Sequence, residues 1–239
     1  MPACQYRRIV LKISGEALGG DGSSCFSAVV LNYLAEEIAA SLALGAQVAV
    51  VVGGGNIVRG EILSGNMGVE RVTADYMGML ATVINGMALE SALNHKGITT
   101  RLQTALNLEQ VAAPYIRQKA VRHLEAGHVV IFAGGTGNPY FSTDTAAALR
   151  ASEMGAEALL KATNVDGVYS SDPAKDTAAR RYETLPIDEA INQKLRVMDA
   201  TALALCRERK LPVHVFKLSC AGSLLSILKG EAAGTLLTC

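Results

Sequence analysis

The sequence predicts an α/β fold, a three-layer α/β/α sandwich around a mainly parallel central sheet. Three observations carry this. Aliphatic, partly β-branched runs of strand length recur at residues 9–13 (IVLKI), 47–52 (QVAVVV) and 129–132 (VVIF) without polar alternation, as strands buried on both faces require. Two of these runs, 47–52 and 129–132, break into clusters of glycine. Amphipathic helical segments separate the strands, so successive strands are joined by crossovers. At 239 residues the chain suits one large domain, 1–239, and no linker, low-complexity tract or internal repeat divides it.

The first strand, residues 9–13, places Lys12 inside an apolar run. A lysine in a buried strand is costly unless it meets an anion, so Lys12 marks either a phosphate site or an edge strand facing water. Ser14, Gly15 and Glu16 follow, then a loop with Gly19, Gly20 and Gly22. Leu31, Leu34, Ala35, Ile38 and Leu42 recur at helical spacing and predict a helix over 29–44, with Gly45 as its C′ residue. The strand Gln47–Val52 runs straight into Gly53, Gly54, Gly55 and Asn56, with Arg59 and Gly60 beyond. Residues 72–95 predict a long helix in which Met77, Leu80, Ala81, Ile84, Ala88 and Leu89 share a face. Asp75 falls in its first turn, where an acidic residue can simply complement the helix dipole.

Residues 99–102 predict a short strand, and 110–124 a helix stopped by Gly127. The run 129–132 then breaks into Gly134, Gly135 and Gly137, and Thr143 and Asp144 stand where the next helix, 144–154, should begin. Strand, glycine loop and helix N-terminus in that order build an anion site at the carboxyl end of an open sheet; a plain glycine-rich connection is the alternative. Residues 158–162 (ALLKA) predict a strand, and 163–172 a turn-rich loop ended by Asp172-Pro173. Pro186 suits the first position of a helix through Leu195. A helix over 199–209, a strand over 213–216, a short helix near 223–229 and a strand over 235–237 complete the alternation.

Half the residues are hydrophobic and none is Trp, so the core must be aliphatic. Lys plus Arg and Asp plus Glu number 22 each, which argues against nucleic acid or a membrane surface as partner. Five cysteines without a C-x-x-C pair indicate a reducing compartment rather than a disulfide framework or zinc knuckle. Four histidines show no H-E-x-x-H spacing, so no metal site of the zinc hydrolase kind is expected. With no signal-peptide h-region and no long apolar run, a cytoplasmic location is expected.

Glycine loops after strands have several meanings. No G-x-x-x-x-G-K-[ST] string occurs, G-T-G-N-P-Y fails the dinucleotide pattern at its last position, and protein-kinase signatures are absent. A phosphate site assembled from several loops remains, with Lys12, Arg59, Asp75 and Asp144 converging on it.

Six segments in order, KISGEAL, VVGGGNIVRG, ADYMGMLATVINGMALE, GTGNPYFSTDTAA, KATNVDGVYSSDPAKD and the VMD of residues 197–199, resemble the bacterial-type UMP kinases of the amino acid kinase family. The resemblance runs from about Arg8 to about Thr238. It implies transfer of the γ-phosphoryl group of ATP to UMP, giving UDP and ADP, in pyrimidine nucleotide biosynthesis.

The same resemblance assigns roles. Lys12, Asp144 and Arg59 would be catalytic, with Lys12 neutralising charge on the transferring group and Asp144 holding Lys12 rather than acting as a base. Lys12, Ser14, Gly15, Gly55, Arg59, Thr163, Asn164, Tyr169 and Asp172 would bind ATP. Gly54, Asp75, Thr136, Gly137, Asn138, Pro139, Tyr140, Phe141, Ser142 and Thr143 would bind UMP, Asp75 at the ribose hydroxyls. Mg²⁺ would be carried by the nucleotide phosphates and waters. UTP is the implied inhibitor, GTP the implied activator, and a cytoplasmic homohexamer the implied assembly.

Ser23, Ser24 and Cys25 depart from the glycine–phenylalanine–glycine pattern usual near Phe26, which predicts weakened or absent GTP activation. The segment KLSC at 217–220 also departs from the usual asparagine-containing run. Relatives that phosphorylate carbamate, aspartate, glutamate or N-acetylglutamate are competing readings, disfavoured by Asp75 and GTGNPYFSTD. A non-catalytic nucleotide-binding oligomer, resembling molybdenum storage proteins, is disfavoured by the pair Lys12 and Asp144.

Overall fold

Aliphatic runs buried on both faces form the centre of a nine-stranded sheet. In the computed structural model, which describes residues 4–20, 24–58, 65, 68–173, 175–195 and 197–239, β1 (Arg8–Ile13), β2 (Gln47–Val52) and β5 (Val129–Ala133) are the most deeply buried strands. With β3 (Thr100–Thr104), β4 (Ala113–Pro114), β6 (Ala158–Thr163), β7 (Thr184–Pro186), β8 (Val213–Lys217) and β9 (Thr235–Thr238) the order is β4-β3-β5-β2-β1-β6-β8-β9-β7. Every neighbouring pair is parallel except β8 and β9.

Strand residues alternate between two cores, as a period of two demands. Ile9, Leu11 and Ile13 point to one side with Val48, Val50 and Ile131. There they pack under α2 (Ala28–Ala43), α3 (Arg71–His95) and α8 (Ser223–Leu228). Val10, Val51, Val130 and Leu159 point to the other side. That side is covered by α4 (Arg117–Glu125), α5 (Thr143–Met154), α6 (Ile187–Asn192) and α7 (Ala200–Glu208). The three-layer sandwich expected from the sequence is therefore the observed fold. No helix among the described residues is long and apolar enough to cross a membrane.

Several expected bounds need correction. The helix expected over 110–124 begins only at Arg117, because residues 113 and 114 pair with Gln103 and Thr104 as a strand. Pro114 holds the residue before it in the extended region, which excludes a helix there. Pro186 is not the first helical residue; it ends β7 and precedes α6 as its N-cap. That helix stops at Asn192 rather than Leu195. Lys194 turns left-handed at φ 51°, with its N–H bonded to the Ile191 carbonyl and the Leu195 N–H to that of Ala190, the two bonds of a Schellman ending. The short helix α1 (Gly15–Leu18) was not anticipated at all. Gly45, at φ 89°, closes α2 as expected.

Candidate active site

Lys12 shares the parity of Val10, and Lys161 that of Leu159, so both lysines leave the sheet on the α5 side. They are register partners on adjacent parallel strands. Between them lies Asp144, in the first turn of α5. Lys12 Nζ is 2.9 Å from Oδ1 and Lys161 Nζ 2.6 Å from Oδ2, with all three side chains at most 14% exposed. The Lys161 contact is a hydrogen bond, whereas Lys12 sits beside Oδ1 as an ion pair without hydrogen-bond alignment. Lys161 also donates to the Val197 carbonyl.

Burial alone would raise the Asp144 carboxyl; the two ammonium groups outweigh it and hold the group below its ordinary value. Burial pushes the Lys161 ammonium down, against the pull of Asp144 and with the help of Lys12. One carboxylate facing two ammoniums leaves the cluster an excess of positive charge, which suits a phosphate.

Ser14 caps α1, and the glycine loops after β1 and β2 touch through their backbones. A Cβ on Gly15 would lie 2.4 Å from Gly55 N, and one on Gly54 2.7 Å from Gly78 O. Two polar side chains inside α3 hold these loops. Asn85, fully buried, donates to the Gly53 carbonyl at 2.6 Å and exchanges hydrogen bonds with Asn56. The Thr82 hydroxyl accepts from Gly134 N–H at 2.7 Å. Gly134, Gly135 and Gly137 all have left-handed φ, between 58° and 81°, which the loop after β5 requires.

Two cavities flank the ion cluster. The first, about 790 Å³, is lined by Lys12, Ser14, Thr163, Asn164, Tyr169 and Asp172 of the expected ATP set, and by Lys161. The second, about 250 Å³, is lined by Gly54, Asp75, Asn138, Phe141, Ser142 and Thr143 of the expected UMP set. Gly55, expected with ATP, lines the second cavity, while Gly15 lies buried against it and lines neither. Arg59 lies outside the described residues.

Thr136, Gly137, Pro139 and Tyr140 belong to the same loop but do not line the second cavity. The Thr136 hydroxyl accepts from Asn138 N–H, and Gly137 packs on Ala105. Tyr140 is at φ 70°, two-thirds exposed, with its N–H donated to Asp75 Oδ2 at 2.7 Å. Asp75 lies beyond the first turn of α3, so dipole compensation is not its use. It pairs instead with Arg71, whose guanidinium stands 5.5 Å from the Tyr140 ring centroid.

Lys161, Thr82, Asn85 and Asp199 lie in segments that carry the family resemblance, but none of them received a site role from the sequence. The signal for Lys161 was present, since ALLKA repeats the pattern of IVLKI, a lysine fourth in an apolar strand. Asn85 and Thr82 were visible only as polar residues within the otherwise apolar stretch 77–89 of α3. Among the described residues no group of three His, Cys, Asp or Glu gathers to hold a metal ion. The donors at hand, two lysines and backbone N–H groups, suit phosphate.

The sequence matches the Amino acid kinase family over residues 7–217. The structure is similar to that of UMP kinase from Bacillus anthracis, 40% identical with a TM-score of 0.94, over 98% of this chain and 96% of that one. UMP kinase from Ureaplasma parvum is 39% identical with a TM-score of 0.92, over 98% and 100% of the two chains. Uridylate kinase from Archaeoglobus fulgidus is 30% identical with a TM-score of 0.76, over 96% and 99%. The chain therefore belongs to the amino acid kinase family, on the branch that holds these UMP kinases.

Proposed function

We propose that this chain is a UMP kinase, one domain over 1–239, transferring the γ-phosphoryl group of ATP to UMP in pyrimidine nucleotide synthesis. The observation that carries the reading is the Lys12–Asp144–Lys161 cluster between a large and a small cavity, in a chain related to UMP kinases throughout its length. ATP fits the larger cavity, where Tyr169 offers a flat face to the base. UMP fits the smaller one, with Asp75 toward the ribose and the loop 136–143 around base and phosphate.

Phosphoryl transfer needs positioning and compensation of charge more than covalent help. The UMP phosphate is already anionic near neutral pH, so no strong base is required. Lys12 and Lys161 would neutralise the group in flight, Asp144 would keep them oriented, and Gly54 and Gly55 would offer backbone N–H groups. Arg59 would add bridging charge. Mg²⁺ would supply further charge neutralisation, carried by the nucleotide phosphates and waters, the ligands it prefers.

UTP would compete for the UMP cavity. GTP activation would be weak, because Ser24 and Cys25 stand in the loop after α1, where the Cys25 carbonyl accepts from Asn56 at 2.6 Å; Ser23 lies outside the described residues. The exposed apolar side chains along α3 support a homo-oligomer, a hexamer by family resemblance. Five free cysteines suit the cytoplasm.

Coupled ADP release with UMP, CMP, dUMP and carbamate as acceptors tests the reading. UMP should be preferred, with Mg²⁺ required and turnover of roughly 1–100 s⁻¹. CMP accepted as fast as UMP at low concentration would overturn the specificity, and no ADP release with any acceptor would overturn the activity.

A further inference from the structure

Three segments of chain meet at Asp199, which the mechanism above does not use. Its carboxylate accepts from the Ser142 hydroxyl, from the Thr145 hydroxyl at 2.9 Å and from Ala202 N–H at 2.9 Å. Ser142 caps α5, its Oγ accepting from Asp144 N–H at 3.0 Å and Thr145 N–H at 3.1 Å. Two residues before Asp199, the Val197 carbonyl accepts from Lys161 Nζ.

A serine hydroxyl has one proton and two lone pairs. In Ser142 both lone pairs serve backbone N–H groups of α5, so its proton must go to an acceptor, and Asp199 is that acceptor. Capping α7 needs only one oxygen, and a serine would do it nearly as well. The second use of the Asp199 carboxylate is therefore distinct from holding its own helix. Residues 197 and 199 grip both partners of one ion pair, Lys161 directly and Asp144 through Ser142. They also bridge the cavities, since Val197 lines the first and Ser142 the second.

We infer that Asp199 is a positioning residue for phosphoryl transfer, fixing Asp144 through Ser142 while its own turn fixes Lys161. The inference rests on the kinase reading above. A displacement of about 1 Å in such a site costs up to about 10²-fold in rate, which sets the scale of its effect.

The test uses the full chain with Asp199→Ser, which keeps the α7 cap but withdraws the carboxylate, and with Ser142→Ala and the double variant. Turnover in Asp199→Ser should fall by roughly 10–10²-fold, with KM for ATP and UMP changed by less than about threefold. Asp199→Asn, whose single acceptor oxygen can serve Ser142 or the α7 cap but not both, should recover only part of the loss. Because the two residues share the Ser142–Asp199 bond while each also holds α5 separately, the double variant should lose less than the product of the two single losses. Hydrogen exchange at the Asp144 and Thr145 amides should quicken in Asp199→Ser, a readout that needs no activity. Wild-type ADP release tests the kinase reading separately. Unchanged exchange, unchanged turnover, or losses that multiply in the double variant would each overturn the assignment of Asp199.

Discussion

Lys12 and Lys161 stand opposite each other on neighbouring parallel strands, and Asp144 gives one carboxylate oxygen to each. Two ammonium groups this close and this buried repel each other, and a single carboxylate compensates only part of that. The arrangement is stable enough to fold, yet it is improved by any further anion that enters the adjoining cavity. The phosphoryl group transferred in the proposed reaction is such an anion.

Lys12→Met and Lys161→Met should therefore each lower turnover by roughly 10²–10⁴-fold while UMP still binds. Steady-state rates paired with calorimetric binding of UMP check this. A change confined to KM in either variant would remove that lysine from the transition state.

Removing the central carboxylate has a different consequence. In Asp144→Ala two buried ammoniums face each other without their counter-ion, which should destabilise the fold by about 3–5 kcal/mol. Adding Lys161→Met to Asp144→Ala should restore part of the loss, because one of the stranded charges is gone. Urea unfolding of the three proteins measures it.

Asp75 has two tasks in the structure, so its loss should show twice. Asp75→Ala frees the Tyr140 N–H and the Arg71 guanidinium as well as removing an acceptor from the second cavity. KM for UMP should rise by roughly tenfold or more, with turnover less affected. Tyr140→Gly leaves both Asp75 contacts in place and removes only the ring. It keeps the N–H and suits φ 70° better than tyrosine does, so it should leave stability unchanged or slightly raised. If Tyr140→Gly raised KM as much as Asp75→Ala, the tyrosine ring and its place over Arg71, rather than Asp75 alone, would govern UMP binding.

How much of this could be read from the sequence depended on whether the signal was local. Lys12 stood out because one lysine broke an aliphatic strand, and Gly54 and Gly134 because they belong to glycine clusters that open at strand ends. Lys161 carried the same signal in ALLKA, but only the register of β1 against β6 shows that the two lysines are neighbours. Asp199 reads locally as a helix cap, which it is. Its bond to Ser142 spans 57 residues and follows from how α5 and α7 pack on the sheet, which no periodicity encodes. β4 was hidden for a related reason: two residues gain a strand's conformation only from their partner β3.

The long helix α3 leaves Tyr76, Met77, Leu80, Ile84 and Met87 between 37% and 47% exposed along one face. Such a stripe is unusual for a chain that works alone. Sedimentation at micromolar concentration should give a mass of several chains. Leu80→Glu with Ile84→Glu should shift it toward one chain, since burying two carboxylates in an apolar contact is strongly unfavourable. A wild-type mass of one chain would refute the assembly.

Acid should weaken the fold through His214. The residue is 7% exposed in β8, and its Nε2 lies 3.0 Å from the Tyr6 hydroxyl. Gln5 Nε2 donates to that hydroxyl at 3.3 Å, and the Tyr6–His214 bond takes its direction from the imidazole tautomer. Burial pushes the imidazole down to about 4, below its ordinary value of 6.5. A histidine lowered in the fold is neutral there while the unfolded chain takes up its proton. Its contribution is thus complete above about pH 6.5 and is lost as the pH falls toward 4. Between pH 7.5 and 5 the loss should be about 2 kcal/mol, before most carboxylates begin to protonate. His214→Leu removes the titrating ring and leaves Tyr6 its bond from Gln5. Its unfolding free energy should fall by about 2 kcal/mol less over that interval than the wild type's. His123, also lowered by burial and nearby positive groups, is present in both proteins and cancels in the comparison. Urea titrations at the two pH values decide it, and parallel losses in the two proteins would clear His214 of the effect.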